Sequence, residues 1–277
     1  MQISVSSYSF SKMNSSPIER LRLAKELGFA AIEFTEVDIQ TAKRLREESE
    51  KLDFPIICYT VGAEFLQAKS VEAEAQRLFG QVDIAQALGV HLMRHDASRG
   101  FQRFRAAHSS FAEALPLLAK GCRMVTEYAA EKSVITMVEN HGFFCQDSER
   151  VAALVGAVSH PNFGALVDIG NFLCADEDPA AACGNVAALA LHVHAKDFHV
   201  KSGSGRNPGR GWFQSRGGNY LRGAIIGHGN VPVRQCLDTL RRAGYDGYVS
   251  IEFEGMEDCE EGLRIGRENL ERFIASA

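Results

Sequence analysis

Eight short apolar runs that alternate with helix-length segments predict an α/β chain of the (β/α)8 barrel class. Four of the later runs end in an acid or a histidine, as strand ends around a shared pocket would. The turn after the first run, Ser6-Ser-Tyr-Ser-Phe-Ser-Lys12, also lacks the glycine-rich dinucleotide cradle of an open doubly wound sheet, which is the alternative architecture.

The first run is Gln2–Tyr8. Ser16-Pro17 then supplies a serine cap and a first-turn proline, which open a helix with Ile18, Leu21, Ala24 and Leu27 on one stripe and Gly28 as its stop. Ala30–Phe34 and Ile56–Val61 are the second and third runs. Val71, Ala75, Leu78, Val82 and Ala85 form the next stripe, which ends at Gly89. His91–Arg94 precedes a long helix from about Ser109 to Lys132 that carries Leu115, Leu118, Cys122, Val125 and Ala129. The remaining runs are Val134–Glu139, Gly164–Asp168, Leu191–Ala195 and Gly247–Phe253. Asp147, Asp178-Pro179 and Val231-Pro232 mark helix starts between them, and Gly244 marks a stop. Parallel pairing with right-handed crossovers follows from this alternation.

With 277 residues and 45% hydrophobic composition, one domain over residues 1–277 is expected. Lys and Arg number 30 against 35 Asp and Glu, and the net charge of −5 gives no global attraction to nucleic acid. Seven cysteines without a C-x-x-C pair indicate free thiols and a reducing cytoplasm. The N-terminus has no basic region followed by a long apolar stretch, and no run approaches the ~20 apolar residues of a membrane span. The expectation is a cytoplasmic protein that makes no membrane contact.

Glu139, Asp168, His194 and Glu252 close runs five to eight. Isolated buried carboxylates are too costly to keep, so a common partner is expected. One divalent metal ion would serve, and the oxygen-rich set with one nitrogen suits Mn²⁺, Mg²⁺, Co²⁺ or Zn²⁺. Such an ion can grip two oxygens of a hydroxy-ketone and stabilise an enediolate. Glu139 and Glu252 lie on opposite sides of the Asp168/His194 pair in strand order, so they are the candidate catalytic bases for the two faces of a substrate.

His95, His141, Asn171 and Lys196 are candidate substrate contacts. Asp96 accompanies His95, and Asp197 is read as the salt-bridge partner of Lys196. Glu33 and Glu64 follow the second and third runs, with Glu64 read as a solvated loop residue. Tyr8, Phe10 and Trp212 are candidates for the pocket wall, whereas His91, His108 and His160 are assigned to structure or surface. From Phe198 to Leu237, nine glycines accompany six Lys and Arg residues, with no acid before Asp238. Within this basic, glycine-rich loop (about 198–230), Arg206, Arg210 and Arg216, with His199 and Lys201, could close over an anionic group. A solvated loop or a subunit contact is the other reading.

The motifs Met137-Val-Glu-Asn-His-Gly142, Leu166-Val-Asp-Ile-Gly-Asn171, His192-Val-His-Ala-Lys-Asp197, Gly227-His-Gly-Asn-Val231 and Ser250-Ile-Glu252 give the chain its family likeness. It resembles the xylose isomerase-like TIM barrel superfamily, in particular the sugar phosphate isomerase/epimerase branch. The resemblance implies one divalent metal on Glu139, Asp168, His194 and Glu252, and a sugar, sugar phosphate or related keto-polyol as substrate. It also implies a family in which dimers and tetramers are common. Asn171 stands where ketose 3-epimerases of the superfamily place a substrate-facing His, Cys145 where they place a Glu, and Val200 where they place an Arg. These departures leave the reaction open between isomerisation or epimerisation and a dehydratase or lyase acting on a keto-sugar or keto-inositol. A non-catalytic sugar-binding protein is a further alternative. Zinc AP endonucleases are structural cousins, and His95 matches one of their additional ligands. Asn171 and Leu221-Arg222-Gly223 replace others, which leaves their three-zinc cluster incomplete.

Overall fold

The computed structural model describes residues 1–100 and 110–276. The strands in chain order are β1 (Gln2–Ser6), β2 (Ala31–Thr35), β3 (Ile56–Val61), β4 (Leu92–His95), β5 (Ile135–Glu139), β6 (Phe163–Asp168), β7 (Ala190–Ala195), β8 (Asp197–Lys201), β9 (Phe213–Gln214), β10 (Tyr220–Ala224) and β11 (Tyr248–Ile251). Eight of them close into a parallel barrel in the order β1-β11-β7-β6-β5-β4-β3-β2, so the sheet has no edge and the open alternative is excluded. Between them run α1 (Pro17–Glu26), α2 (Ile39–Leu52), α3 (Val71–Leu88), α4 (Phe111–Ala130), α5 (Ser148–Val158), α6 (Pro179–Val186), α7 (Val233–Arg242) and α8 (Cys259–Ala275).

Local chemistry explains the helix starts. Ser16 and Glu19 form a reciprocal capping box with Pro17 in the first turn, and Ser110 and Glu113 do the same for α4. Asp147 and Asp178 accept backbone N–H groups at the starts of α5 and α6. Ser109 and His108 lie outside the described residues. Two helices, α2 and α8, arise where neither a stripe nor a start signal predicts one. Only Ala42 and Leu45 of α2 are buried, and the buried positions of α8 include Gly262, Gly266 and Asn269.

The first strand is shorter than expected. It gives way after Ser6 to a 3-10 turn over Ser7–Phe10, which buries Phe10 in the core and leaves Tyr8 half-exposed. Phe10 is therefore not part of a pocket wall. The basic loop is also not a free flap. β8, β10 and β9 pair antiparallel in a small sheet beside the barrel, in that order. Asp197, expected to partner Lys196, instead accepts N–H groups from Phe198, Gly227, Gly229 and Val231, gathering the Gly227–Val231 segment around one carboxylate.

Alternation along the strands decides what reaches the barrel interior. Met137, Leu166, His192 and Ser250 each precede a candidate ligand by two residues, so they lie on the same side one step deeper, and all are buried. His95 and Arg94 show the opposite consequence. Arg94 faces inward, so His95 faces out of the barrel, where its ring packs near Phe65 and Phe163 with centroids 6.2 and 6.1 Å away. His95 is fully buried, its Nδ1 lies 2.7 Å from the Asp96 carbonyl oxygen, and burial pushes its pKa down to about 4. It does not contact the pocket, contrary to its expected role.

Two consequences are measurable. A Cβ added at Gly170, just beyond β6, would lie 2.5 Å from the Lys196 carbonyl oxygen, a backbone atom that cannot swing aside. Gly170→Ala is expected to lower Tm by several degrees, in line with overpacking of about 1–3 kcal/mol, and calorimetry checks it. His95 has a folded-state pKa of about 4 against an ordinary 6.5, so between these values the unfolded chain binds the extra proton. Stability should therefore fall as pH drops from about 6.5 to 4. Urea titrations across that window should show wild type losing on the order of 3 kcal/mol relative to His95→Gln, which has no imidazole to charge. Parallel curves for the two proteins would disprove the assignment.

Candidate metal centre and active site

Glu139 ends β5, Asp168 ends β6, His194 is the fifth residue of β7, and Glu252 directly follows β11. His194 pairs in register with Asp168 on one side and Ser250 on the other, while Glu252 N–H donates to the Ala195 carbonyl at 3.0 Å. One ligand atom from each of the four side chains lies within 4.8 Å of the others. The structure thus brings the sequence-predicted set to one place at the mouth of the barrel.

Each side chain is fixed by neighbours that leave one donor atom pointing inward. Asn140 clasps the end of β6, donating to the Asp168 carbonyl and accepting from the Asp168 N–H, both at 2.8 Å. Asp168 Oδ1 accepts from the N–H groups of Gly170 and Asn171 at 2.8 and 3.0 Å. Its Oδ2 is buried and makes no hydrogen bond, but the Lys196 ammonium lies 3.4 Å from it. Glu139 is held by Asn171, whose Nδ2 donates to Oε1 at 3.0 Å, and by Arg94, whose guanidinium lies 2.5 Å from Oε2. Glu252 Oε2 lies 2.5 Å from the Lys196 ammonium.

His194 Nδ1 is buried, without a hydrogen-bond partner, and 3.8–3.9 Å from Glu139 Oε1, Asp168 Oδ2 and Glu252 Oε1. These separations are too long for hydrogen bonds. They suit atoms that share a cation with ligand distances of about 2.0–2.2 Å. Burial, opposed by Lys196 and reinforced by Glu139 and Glu252, pushes Asp168 up to about 6. Burial works against charge on His194, but the carboxylates of Glu33, Glu252 and Glu139 outweigh it and push the ring up to about 10. A buried imidazole nitrogen without a hydrogen-bond partner among three crowded carboxylates fits a divalent ion.

The centre opens into a cavity of about 380 Å³, a size suited to a small polar ligand. Tyr8, Glu36, Arg99, His141, Lys196 and Glu254 help to line it. His141 Nδ1 lies 2.8 Å from Asp96 Oδ1, which also accepts from Arg94 at 2.7 Å. Asn171 is set behind the cavity, between Glu139 and Lys196, with the Lys196 ammonium 3.3 Å from its Oδ1. His199, Arg210 and Arg216 are not among the lining residues. Arg216 is turned to Asp147 at 2.8 Å and to the Phe143 carbonyl, Arg206 and Arg210 are exposed, and Lys201 and Arg222 lie over Trp212. A stretch without acids of its own finds them elsewhere in the fold, which sequence order does not reveal.

Glu64 is not a solvated loop residue. Its carboxylate accepts from Ser98 and from the N–H groups of Leu66, Gln67 and Arg99, fastening the loops after β3 and β4. Two buried charged side chains, Arg94 and Glu33, have contacts at the cluster that the sequence does not assign. Arg94 bridges Glu139 and Asp96, and Glu33 is wholly buried, 2.7 Å from both His192 and His194. Burial works against the Glu33 charge, yet the two imidazoles hold its pKa well below the usual range. The available signal was a charged residue inside an apolar strand, Ile32-Glu33-Phe34 and Met93-Arg94-His95.

The profile of the xylose isomerase-like TIM barrel family matches residues 21–273. The rhizopine catabolism protein MocC of Rhizobium meliloti is 26% identical over 224 residues, covering 76% of this chain and 68% of that protein. Among solved structures, the IOLI protein with a bound zinc atom superposes with a TM-score of 0.80 at 15% identity, covering 100% of this chain and 99% of the other. L-ribulose 3-epimerase superposes with a TM-score of 0.77 at 17% identity, covering 99% and 95%. The family profile spans nearly all of the barrel just described, and the chain belongs to the xylose isomerase-like TIM barrel family.

Proposed function

We propose that this chain, acting as one domain, is a divalent-metal-dependent isomerase or epimerase of a sugar, sugar phosphate or related keto-polyol, working through an enediolate. The observation that carries this reading is the set of His194 Nδ1 and three carboxylates around one point, with His194 Nδ1 buried and without a hydrogen-bond partner and Asp168 Oδ2 buried and met only by the Lys196 ammonium at 3.4 Å. Mn²⁺, Mg²⁺, Co²⁺ and Zn²⁺ all suit this set, and zinc in the IOLI structure agrees with that range. When bound, the ion supplies positive charge where a substrate oxygen becomes anionic.

The chain's own residues supply the proton transfers. Glu252, oriented by Lys196, and Glu139, oriented by Arg94 and Asn171, flank the Asp168/His194 pair in barrel order, which supports their acting from two sides of a substrate. One takes a proton from the carbon beside the carbonyl, and the other returns a proton to the opposite face or to the neighbouring carbon. Lys196 is placed to hold a substrate oxygen. His141, oriented by Asp96, is placed to hydrogen-bond a hydroxyl. His95 belongs to neither cation-sized group found among the described residues, which speaks against a three-zinc nuclease centre.

Plasma mass spectrometry of protein purified without chelator should find about one divalent ion per wild-type chain, in keeping with a single four-ligand site, and a loss in Asp168→Asn. An unchanged metal content in the variant would remove the basis of the assignment. Incubation with a panel of ketoses and keto-inositols in D₂O should place deuterium beside the substrate carbonyl. Glu252→Gln, with its metal occupancy measured alongside, should lower the rate by roughly 10²–10⁴. Loss of water from the substrate would instead identify a lyase, and sugar binding without exchange would identify a non-catalytic receptor.

A further inference from the structure

Directly beneath the metal centre lies a buried polar unit that the proton-transfer chemistry does not use. It is built from Glu33 of β2, His192 of β7, Ser250 of β11 and Ser4 of β1, none more than 1% exposed. Glu33 Oε1 is 2.7 Å from His194 Nε2, in a bent approach and not an aligned hydrogen bond. Glu33 Oε2 is 2.7 Å from His192 Nε2 and accepts from the Ser250 hydroxyl at 3.1 Å. Ser250 in turn lies 2.7 Å from Ser4. The two nitrogens of one imidazole thus face different groups, Nε2 towards Glu33 and Nδ1 towards Glu139, Asp168 and Glu252.

We propose that Glu33 is a positioning residue for the metal centre, a carboxylate that holds the His194 ring with Nδ1 towards the ion. His192 and Ser250 hold the carboxylate itself. The inference rests on the metal reading above. An imidazole can present either nitrogen, and a carboxylate behind it fixes both the ring orientation and the nitrogen that carries the proton. Packing alone does not call for a charge here, because the same level of the interior is filled on β5 and β6 by Met137 and Leu166. Buried ionic groups of this kind are often replaceable by apolar ones without loss of stability, so a role at the histidine is the more economical account of the charge. β2 contributes none of the four ligands. Glu33 therefore reaches across the interior, past β1 and β11, to the strand that contributes His194.

The test is calorimetric titration of Mn²⁺ into chelator-stripped protein, together with the visible spectrum of the Co²⁺ form. Glu33→Gln keeps the shape and removes the charge. It should weaken Mn²⁺ binding roughly 10–100-fold and alter the Co²⁺ bands, which report ligand geometry. Ser250→Ala removes only one of the supports of the carboxylate and should show a weaker effect in the same direction; it also carries the test should Glu33→Gln fail to fold. Wild-type affinity and a wild-type Co²⁺ spectrum in the folded variants would overturn the proposal. Absence of Mn²⁺ binding by wild type would overturn the metal reading beneath it, which is a separate result.

Discussion

Mutual repulsion among Glu139, Asp168 and Glu252 is the constraint around which the top of this barrel is organised. Three carboxylates within a few ångströms of one another, and largely removed from water, oppose folding unless positive charge is close. Arg94 and Lys196 supply part of it, and each grips the outward oxygen of one glutamate. The His194 ring, whose pKa the carboxylates of Glu33, Glu252 and Glu139 push up to about 10 against its burial, supplies more, and the crowded cluster of inward oxygens fits a metal site.

Rigidity in the centre comes largely from residues that are not ligands. Asn140 ties β5 to β6, Asn171 spans Glu139 and Lys196, and Asp197 gathers the Gly227–Val231 segment below β8. Each uses a short side chain with several hydrogen-bonding atoms, so little rotamer freedom remains to blur the positions of the ligands. Glycine has a complementary part at Gly170, where the chain passes so near the Lys196 carbonyl that even a methyl group has no room.

The barrel and its four candidate ligands are legible in the sequence because two signals coincide. β-branched runs mark buried parallel strands, and a polar residue closing such a run marks the rim. Strand parity is harder to read. Arg94 and His95 are neighbours at the end of one run, and only the structure shows that the arginine faces the pocket while the histidine faces the helices. Glu33 was visible as an acid near a strand end, but its partners lie 159 and 161 positions away in the chain, a pairing no local pattern encodes. The basic loop is hard to read for a similar reason, since Arg216 meets Asp147 and Arg222 meets Glu257 only after the chain has folded. α2 left almost no trace, its inward stripe being reduced to two buried residues on an otherwise polar helix.

Tyr8, Glu36 and Arg99 border the cavity without belonging to the ligand set or holding any of its members in place. All three are exposed, on the segments that follow β1, β2 and β4. Substitution there is borne by the rim and not by the packed interior. The molecule therefore separates two regions: a packed interior that fixes the buried acid and histidine cluster, and an outer ring where single residues can change without disturbing it.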